Sequence, residues 1–285
     1  MDATSDMAFC RNCGATLPPA AKFCPACGVP IYVSGRNSEI AHNSFQIAGK
    51  PKVVINLRTP GSVDITRGEA GVVTADADVM EPESIDYSAR QEGNLITIMG
   101  RTKYWNPLIW GSYAFSGGPR TNVRVTIPHD SDLTIETQTD SISVSGISGS
   151  IGAESKTGPI RVKDCDGTFS VKTHTGNVDM DNVNGTVDVR NTIGHVSYSG
   201  ALSGGLNAFR ATTGDIEVAL RGTPDLSLDA STTVGHIVCR LELAESHYDR
   251  GDYVGQHLTG RIGSGRGRLV IEATTGSISI YRAGN

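Results

Sequence analysis

An 18-residue repeat constrains the fold of this chain more than any other feature of its sequence. A Thr-Gly-x-Ile motif recurs with small variations through the second half of the chain, and Asp140 takes the glycine position in its first copy. The steps from 140 to 158, 176 and 194 are each 18 residues, and the later steps are 20, 21 and 41 residues. The repeat glycines are Gly158, Gly176, Gly194, Gly214, Gly235 and Gly276. A period held over several steps predicts a stack of similar units.

Apolar residues follow the same period. Within each half-unit they alternate with polar residues, which is the pattern of a half-buried strand. Written with 18-residue steps, the first of five apolar columns contains Ile142, Ile160, Val178 and Val196. The fourth column aligns Val187 with Leu206, and the fifth aligns Val189 with Ala208. A single unit cannot bury its apolar face, but stacked units can, because like residues lie over each other at the ~4.8 Å spacing of strands.

The sequence therefore predicts an all-β fold, a parallel β-solenoid with about 18–21 residues and two short strands per coil. A globular β-sandwich is the alternative, although it would not require a constant register. Residues 136–285 are expected to form the regular repeats, with an insertion at 243–263. Residues 45–135 are expected to supply the lead-in coils and a cap, since an uncapped end would invite aggregation.

Two Cys-x-x-Cys-Gly turns stand near the start of the chain. Four thiolates on two such turns suit a tetrahedral Zn²⁺ in a closed structural site. Two disulfides or an iron site of the rubredoxin type are the alternatives. The sequence predicts a zinc ribbon at residues 8–28, followed by a linker at 29–44. The expected metal ligands are Cys10, Cys13, Cys24 and Cys27.

This module resembles the short zinc-ribbon domains at the N-termini of many bacterial proteins. The resemblance implies a docking or folding unit, and some such ribbons bind nucleic acid. Residues 1–44 carry three basic and three acidic residues, and the whole chain has a net charge of −5. Because phosphate binding requires an excess of basic residues, no nucleic-acid partner is expected.

Targeting signals are the next consideration. No run of 18 apolar residues occurs, so the sequence predicts no transmembrane helix. The first residues lack the basic region and apolar core of a secretory signal. Together with the four-cysteine module, this predicts a reducing compartment and a cytoplasmic protein.

The β-domain carries a second resemblance. Gln91-Glu92-Gly93-Asn94 precedes a strand that ends in Ile127-Pro128, and the repeated Thr-x-Gly-x-Ile motif follows. Over residues 45–285 the chain resembles the bacterial putative-adhesin domains, described as β-strand repeat proteins of unknown function. The resemblance implies a β-solenoid and no particular chemistry.

Three surface features are candidates for function. Residues 101–120 contain both tryptophans and form either a binding loop or an end cap. The insertion at 243–263 is likewise either a functional loop or a cap. His195, Asp215 and His236 follow repeat glycines, so they are expected on successive coils about 5 Å apart. There they would bind a metal, titrate near neutral pH, or simply face water.

A column of charged residues completes the set of surface features. Glu154, Lys172 and Arg190 are expected to stack on one solvated face, where each ion pair contributes little. No phosphate-binding loop, serine nucleophile motif or dinucleotide fingerprint is present, so the chain is not expected to be an enzyme.

The sequence favours a non-enzymatic interaction or scaffold protein, with a repeat surface and a zinc ribbon as docking module. Its expected partners are proteins, including further copies that associate through the ends of the solenoid. An exported adhesin-like surface protein is the alternative. A carbohydrate-active β-helix enzyme ranks below both, since only the fold suggests it.

Overall fold

The computed structural model describes residues 38–103, 118–139, 141–250 and 255–283. Within these ranges the chain forms 21 β-strands and one 3-10 turn at Pro82–Ser84, with no α-helix. The first strands are β1 (Ser38–Gln46), β2 (Lys52–Arg58), β3 (Val63–Arg67), β4 (Val72–Met80), β5 (Ile85–Glu92) and β6 (Leu95–Thr102). Next come β7 (Arg120–Ile127), β8 (Asp132–Thr139), β9 (Ile142–Ser145), β10 (Ser148–Thr157), β11 (Ile160–Thr175) and β12 (Val178–Ile193).

The remaining strands belong to the longer repeat units and the final residues. They are β13 (Val196–Gly200), β14 (Leu206–Thr213), β15 (Ile216–Leu220), β16 (Leu226–Val234), β17 (Ile237–Cys239), β18 (Ala244–Arg250), β19 (Gln256–Ile262), β20 (Gly267–Thr275) and β21 (Ile278–Arg282).

The strands form two faces, called A and B here. Face A runs in the order β5, β6, β2, β8, β10, β11, β12, β14, β20, β16, β19, β18. Face B runs in the order β1, β4, β7, β3, β9, β11, β12, β13, β15, β21, β17. The 16-residue strands β11 and β12 contribute to both faces.

Parallel pairing at 18-residue steps dominates the middle of the stack. Ile160 pairs with Val178, and Phe169 pairs with Val187. The first apolar column is confirmed and continues in both directions, since every member is buried. In spatial order its members are Val123, Val63, Ile142, Ile160, Val178, Val196, Ile216, Ile278 and Ile237. The prediction of an all-β, solenoid-like domain is thus confirmed.

The order of the coils differs from the order of the chain at both ends of the stack. On face A, β20 lies between β14 and β16, and on face B, β21 lies between β15 and β17. At the other end, β2 lies between β6 and β8, and β3 lies between β7 and β9. The 41-residue step therefore contains an outward hairpin and a return into the stack.

The six repeat glycines form one corner of their coils and stack directly on each other. At Gly194 the backbone has φ +137°, and a Cβ there would lie 2.1 Å from the carbonyl oxygen of Gly176. The same close approach recurs from Gly176 to Gly158. Any side chain would need the neighbouring coil to move, so the glycine of the motif is a steric requirement.

The predicted register is wrong by one residue at β14. Val189 pairs with Phe209, whereas the fifth apolar column aligned it with Ala208. Leu206 is consequently 58% exposed. A slip of one residue exchanges the two sides of a strand, so the predicted columns placed Leu206 in the core in error and missed Phe209.

The side chain that fills the core beside Val187 is an asparagine. The amide nitrogen of Asn207 donates to the carbonyls of Ser203 and Gly205 at 3.0 and 3.2 Å. Its Oδ1 accepts from the Val187 backbone N–H at 3.0 Å. These three bonds satisfy the polar atoms, which makes full burial of Asn207 tolerable.

The ends of the stack replace parallel pairing with antiparallel strands. β1 pairs antiparallel with β4. Because β1 begins at Ser38, residues 38–44 of the predicted linker belong to a strand of the β-domain. At the other end, β19 returns antiparallel along β16, and β18 pairs with β19. Leu241 and Leu243 pack against the core beside this hairpin, so the described part of the 243–263 insertion acts as a cap. Self-association through the ends stays a prediction.

Candidate functional site

The predicted ladder of His195, Asp215 and His236 is interrupted. His195 and Asp215 occupy adjacent coils, because the Val196 N–H donates to the Asp215 carbonyl at 3.0 Å. Ser277 then follows, since the N–H of Ile216 donates to its carbonyl and the N–H of Ile278 donates to that of His236. The three residues are therefore not on successive coils, because the coil that contains β21 enters between the second and third.

Polar residues at this corner bind the backbone of the next coil. Asp215 Oδ1 accepts from the Ser277 N–H at 2.7 Å, and Asn177 Oδ1 accepts from the His195 N–H at 3.0 Å. Nearby, a hydrogen bond to Glu217 raises the pKa of Tyr281. Within the described ranges, no group of three or more His, Cys, Asp or Glu side chains could hold a metal ion.

The expected zinc ligands, Cys10, Cys13, Cys24 and Cys27, lie outside the described residues. The other two cysteines are free thiols in the repeat domain. Cys165 is buried in an inward column, and burial raises the pKa of its thiol. Burial also raises the pKa of Cys239, which is half-buried near the cap. Both thiols are held in their unreactive protonated form.

A shallow groove crosses the described part of face A. It has a volume of about 990 Å³ and crosses β10, β11, β12, β14, β20 and β16. Five inter-strand steps give it a length of about 24 Å. We call it the basic groove. One wall is a charge column formed by Glu154, Lys172, Arg190, Arg210 and Glu272.

Strict register builds the charge column. Lys172 pairs with Glu154 on one side and with Arg190 on the other, so the predicted stacking of these three residues is confirmed. Arg190 pairs in turn with Arg210, and Arg210 pairs with Glu272. A second column lies two residues further along each strand and includes Lys156, His174, Thr192, Thr212 and Thr274.

Between the two columns, side chains of the inward row close the floor of the basic groove. Asn191 donates to the Gly176 carbonyl at 3.1 Å, and Thr173 donates to the Gly158 carbonyl at 3.5 Å. Ser155 Oγ donates to the carbonyl of Thr157, the residue before Gly158, at 3.2 Å. These bonds hold the glycine corner against the strand, so the floor is rigid and its donors are occupied.

Comparison with protein families identifies the β-domain. The model of the Toastrack DUF4097 family matches residues 52–281. The chain belongs to this family. The toastrack domain therefore includes the whole stack from β2 to β21, with the basic groove on its face A. The resemblance to domains of unknown function seen in the sequence is confirmed.

A second family model, described as a zinc-ribbon domain, matches residues 9–31. The matched segment contains all four cysteines of the predicted metal site. No curated protein matches this chain. No helix long and apolar enough to span a membrane occurs in the ranges that the structure describes.

The solved structures that match this toastrack protein share little sequence with it. A "putative cell adhesion protein" from Clostridium sporogenes is 12% identical, with 86% of this chain and 100% of that chain covered and a TM-score of 0.42. A "putative adhesin" from Bacteroides fragilis is 9% identical, with coverage of 85% and 96% and a TM-score of 0.31. A "putative lipid binding protein" from Parabacteroides distasonis is 13% identical, with coverage of 87% and 98% and a TM-score of 0.23.

Sequence reasoning found three of the five members of the charge column and missed the basic groove. The strict repeat aligned Glu154, Lys172 and Arg190, whereas the step to Arg210 is 20 residues and the step to Glu272 is 62. A search for charged residues at fixed offsets before each repeat glycine would have found Arg210 and Glu272, since both lie four residues before one.

Proposed function

We propose that this chain is a non-enzymatic interaction or scaffold protein of the cytoplasm. Its toastrack domain presents a stacked surface for a protein partner, and its N-terminal zinc ribbon docks the same partner or a second one. The observation that carries the proposal is the charge column, which places cations on three successive strands of a rigid stack. Repeats of this kind create extended surfaces for binding.

The donor set supports a structural role for the ribbon. Four cysteine thiolates satisfy all the positions of tetrahedral Zn²⁺ and leave none for a substrate. Cys10, Cys13, Cys24 and Cys27 would hold the ion, and the metal would supply the folding free energy that so short a segment lacks. A folded ribbon ahead of β1 then adds a second docking element to the same chain.

An affinity capture from the native cytoplasm tests this function. The intact chain is compared with a variant in which Cys10→Ser and Cys13→Ser are combined, and the zinc content of both is measured. A partner that is captured by the intact chain and lost by the variant supports docking through the ribbon. A partner captured by both supports recognition by the toastrack domain.

The alternative is an exported adhesin-like protein, as the similar structures are described. Cell fractionation separates the two proposals. Recovery of the chain outside the membrane, with no partner captured from the cytoplasm, would reject the scaffold function and support the adhesin.

A further inference from the structure

The basic groove carries an excess of positive charge, although the net charge of the protein is negative. Its lining contains four Lys or Arg side chains against two Glu side chains, while the whole chain has a net charge of −5. The cations come from both walls: Lys156 from the second column, and Lys172, Arg190 and Arg210 from the charge column. A concave cationic surface attracts anionic groups of a partner and raises the rate of their association.

The cations differ in how fully they are already paired. Arg210 bridges Glu272 at 2.8 Å and Asp188 at 3.4 Å. Arg190 lies 3.1 Å from Asp188, and Lys172 lies 3.9 Å from Glu154. Exposed pairs of this kind contribute little, so a carboxylate from a partner could replace them at small cost.

Lys156 and His174 have no ion pair within the described part of the chain. They lie on neighbouring strands opposite Lys172, at the end of the groove nearest β10. Lys156 therefore places an unpaired positive charge at this end of the groove.

The lining also indicates the kind of anion. No Phe, Tyr or Trp is among the described residues that line the groove, so it offers no platform on which nucleic-acid bases could stack. The polar floor is occupied by bonds to the glycine corners, which leaves recognition to the charged walls. Carboxylates on a protein partner fit these conditions.

The spacing of the cations distinguishes a helical partner from an extended one. From Lys172 to Arg210 there are two strand steps, which is about 9.6 Å. Two turns of α-helix advance about 10.8 Å, within reach of flexible Lys and Arg side chains. An extended strand needs four residues, about 13 Å, to present three carboxylates on one side. A helix along the stack matches the charge column better.

We propose that the basic groove binds an α-helix of a protein partner that carries Asp or Glu on successive turns of one face. The helix axis lies across the strands, and the carboxylates meet Lys172, Arg190 and Arg210, with Lys156 on the opposite wall. This inference rests on the proposed interaction function and specifies the partner's chemistry at this surface. It adds a helix-in-groove mode of recognition to the fold.

Binding of designed peptides to the full chain tests the inference by fluorescence anisotropy. The first probe is an alanine-rich helix with Glu at every third or fourth position, so that all carboxylates share one face. The second has the same composition with Glu spread around the helix, and the third is a Pro-interrupted version of the first. We expect the first probe to bind at least about tenfold more tightly than the other two, and more weakly as salt increases.

Two double variants with equal changes in charge locate the site. Lys172→Glu with Arg190→Glu reverses the charge column, and Arg161→Glu with Lys163→Glu reverses two exposed cations on face B. The first pair should weaken binding of the one-faced helix by about tenfold or more, and the second by less than about threefold. Circular dichroism and Tm confirm that both variants remain folded.

Equal affinity for the three peptides, or equal loss in both variants, would overturn the inference. Tighter binding of polygalacturonate or heparin than of the one-faced helix would also overturn it, in favour of an anionic polysaccharide. Failure here is distinguishable from failure of the scaffold function. If the intact chain captures a cytoplasmic partner but binds the three peptides equally, the helix site is rejected and the scaffold function stays in place.

Discussion

Single atoms at the glycine corner decide whether neighbouring coils can stack. Every repeat glycine from Gly176 onward lies so close to the carbonyl of the glycine in the adjacent coil that no Cβ can be added without moving the backbone. The threonine and asparagine side chains of the inward row then bind the same carbonyls from inside. Two features therefore fix the corner: glycine lets the coils approach closely, and hydrogen bonds hold the glycine carbonyls in place.

Gly194→Ala tests this steric requirement. The added Cβ would lie 2.1 Å from the Gly176 carbonyl oxygen, and φ is +137°. We expect a loss of about 2–4 kcal/mol in the free energy of unfolding, measured by urea denaturation. Gly204→Ala is the control, because a Cβ there meets nothing within 4 Å. It should change stability by less than about 0.5 kcal/mol, and equal losses in the two variants would contradict the stacking.

Tyr87 provides a pH-dependent test. Burial, assisted by the charge of Asp76, raises the pKa of Tyr87 to about 12, and its hydroxyl is buried without a hydrogen-bond partner. The unfolded chain ionises near pH 10. Since the folded pKa is the higher one, the associated stability is complete below about pH 10 and is lost as the pH rises toward 12.

Tyr87→Phe should therefore flatten the fall in stability between about pH 10 and 12. At pH 7 the variant should be as stable as the wild type or up to about 1 kcal/mol more stable, since it removes an unpaired polar group. Thermal unfolding at several pH values measures both effects. Tyr248→Phe, at an exposed position of β18, is the control, and a variant profile identical to the wild type would refute the assignment.

At the scale of strands, the repeat period determines the middle of the fold but not its ends. Between β8 and β13 each coil pairs with its successor, so the period alone gives the neighbours and the inward columns. Beyond that region a strand pairs with whichever edge is open, and this depends on contacts between residues far apart in sequence. The sequence period consequently did not predict that β20 lies beside β14, nor the one-residue shift at Phe209.

The charge column, like the apolar columns, was predictable only where the 18-residue period holds. Its first three members follow the strict period, and its later members belong to the region where chain order and spatial order diverge. The His195 ladder failed there too, because its last member lies beyond the inserted coil. Which surface residues come together is therefore hardest to predict where β20 and β21 return into the stack.

Hydrogen exchange can test the inserted position of β20 and β21. Leu269, Ile271 and Ile278 are fully buried between neighbouring strands, whereas β18 is exposed along its whole length. We expect β20 amides to exchange as slowly as those of β12, and β18 amides to exchange much faster. Fast exchange in β20, similar to that of β18, would indicate that the final coil lies at the end of the stack.

Deletion of residues 264–285 gives an independent test of the same arrangement. The deletion removes β20 and β21 from inside the stack and exposes the apolar columns on both sides. We expect loss of the cooperative unfolding transition, measured by circular dichroism, rather than a domain shortened by one coil. A truncated chain with a cooperative transition and native-like spectra would contradict the strand order.

At the scale of the whole molecule, the zinc ribbon and the toastrack domain are expected to fold independently. A strong chelator should remove about one zinc per chain and leave the unfolding transition of the β-domain unchanged. Metal content and urea denaturation, before and after chelation, measure the two effects. The Cys10→Ser, Cys13→Ser variant is the matched comparison, and a chelator that also melts the β-domain would refute two independent units.

The insertion of the first and last coils also limits how such a domain can change in length during evolution. Duplication of a repeat near either end of the stack would separate strands that now pair with an inserted strand, such as β14 and β16 on either side of β20. A duplication between β9 and β13 would add a coil between neighbours that already pair at 18-residue steps. New coils are therefore accommodated in the centre, and each one would lengthen the charge-bearing face while the closing strands stay unchanged.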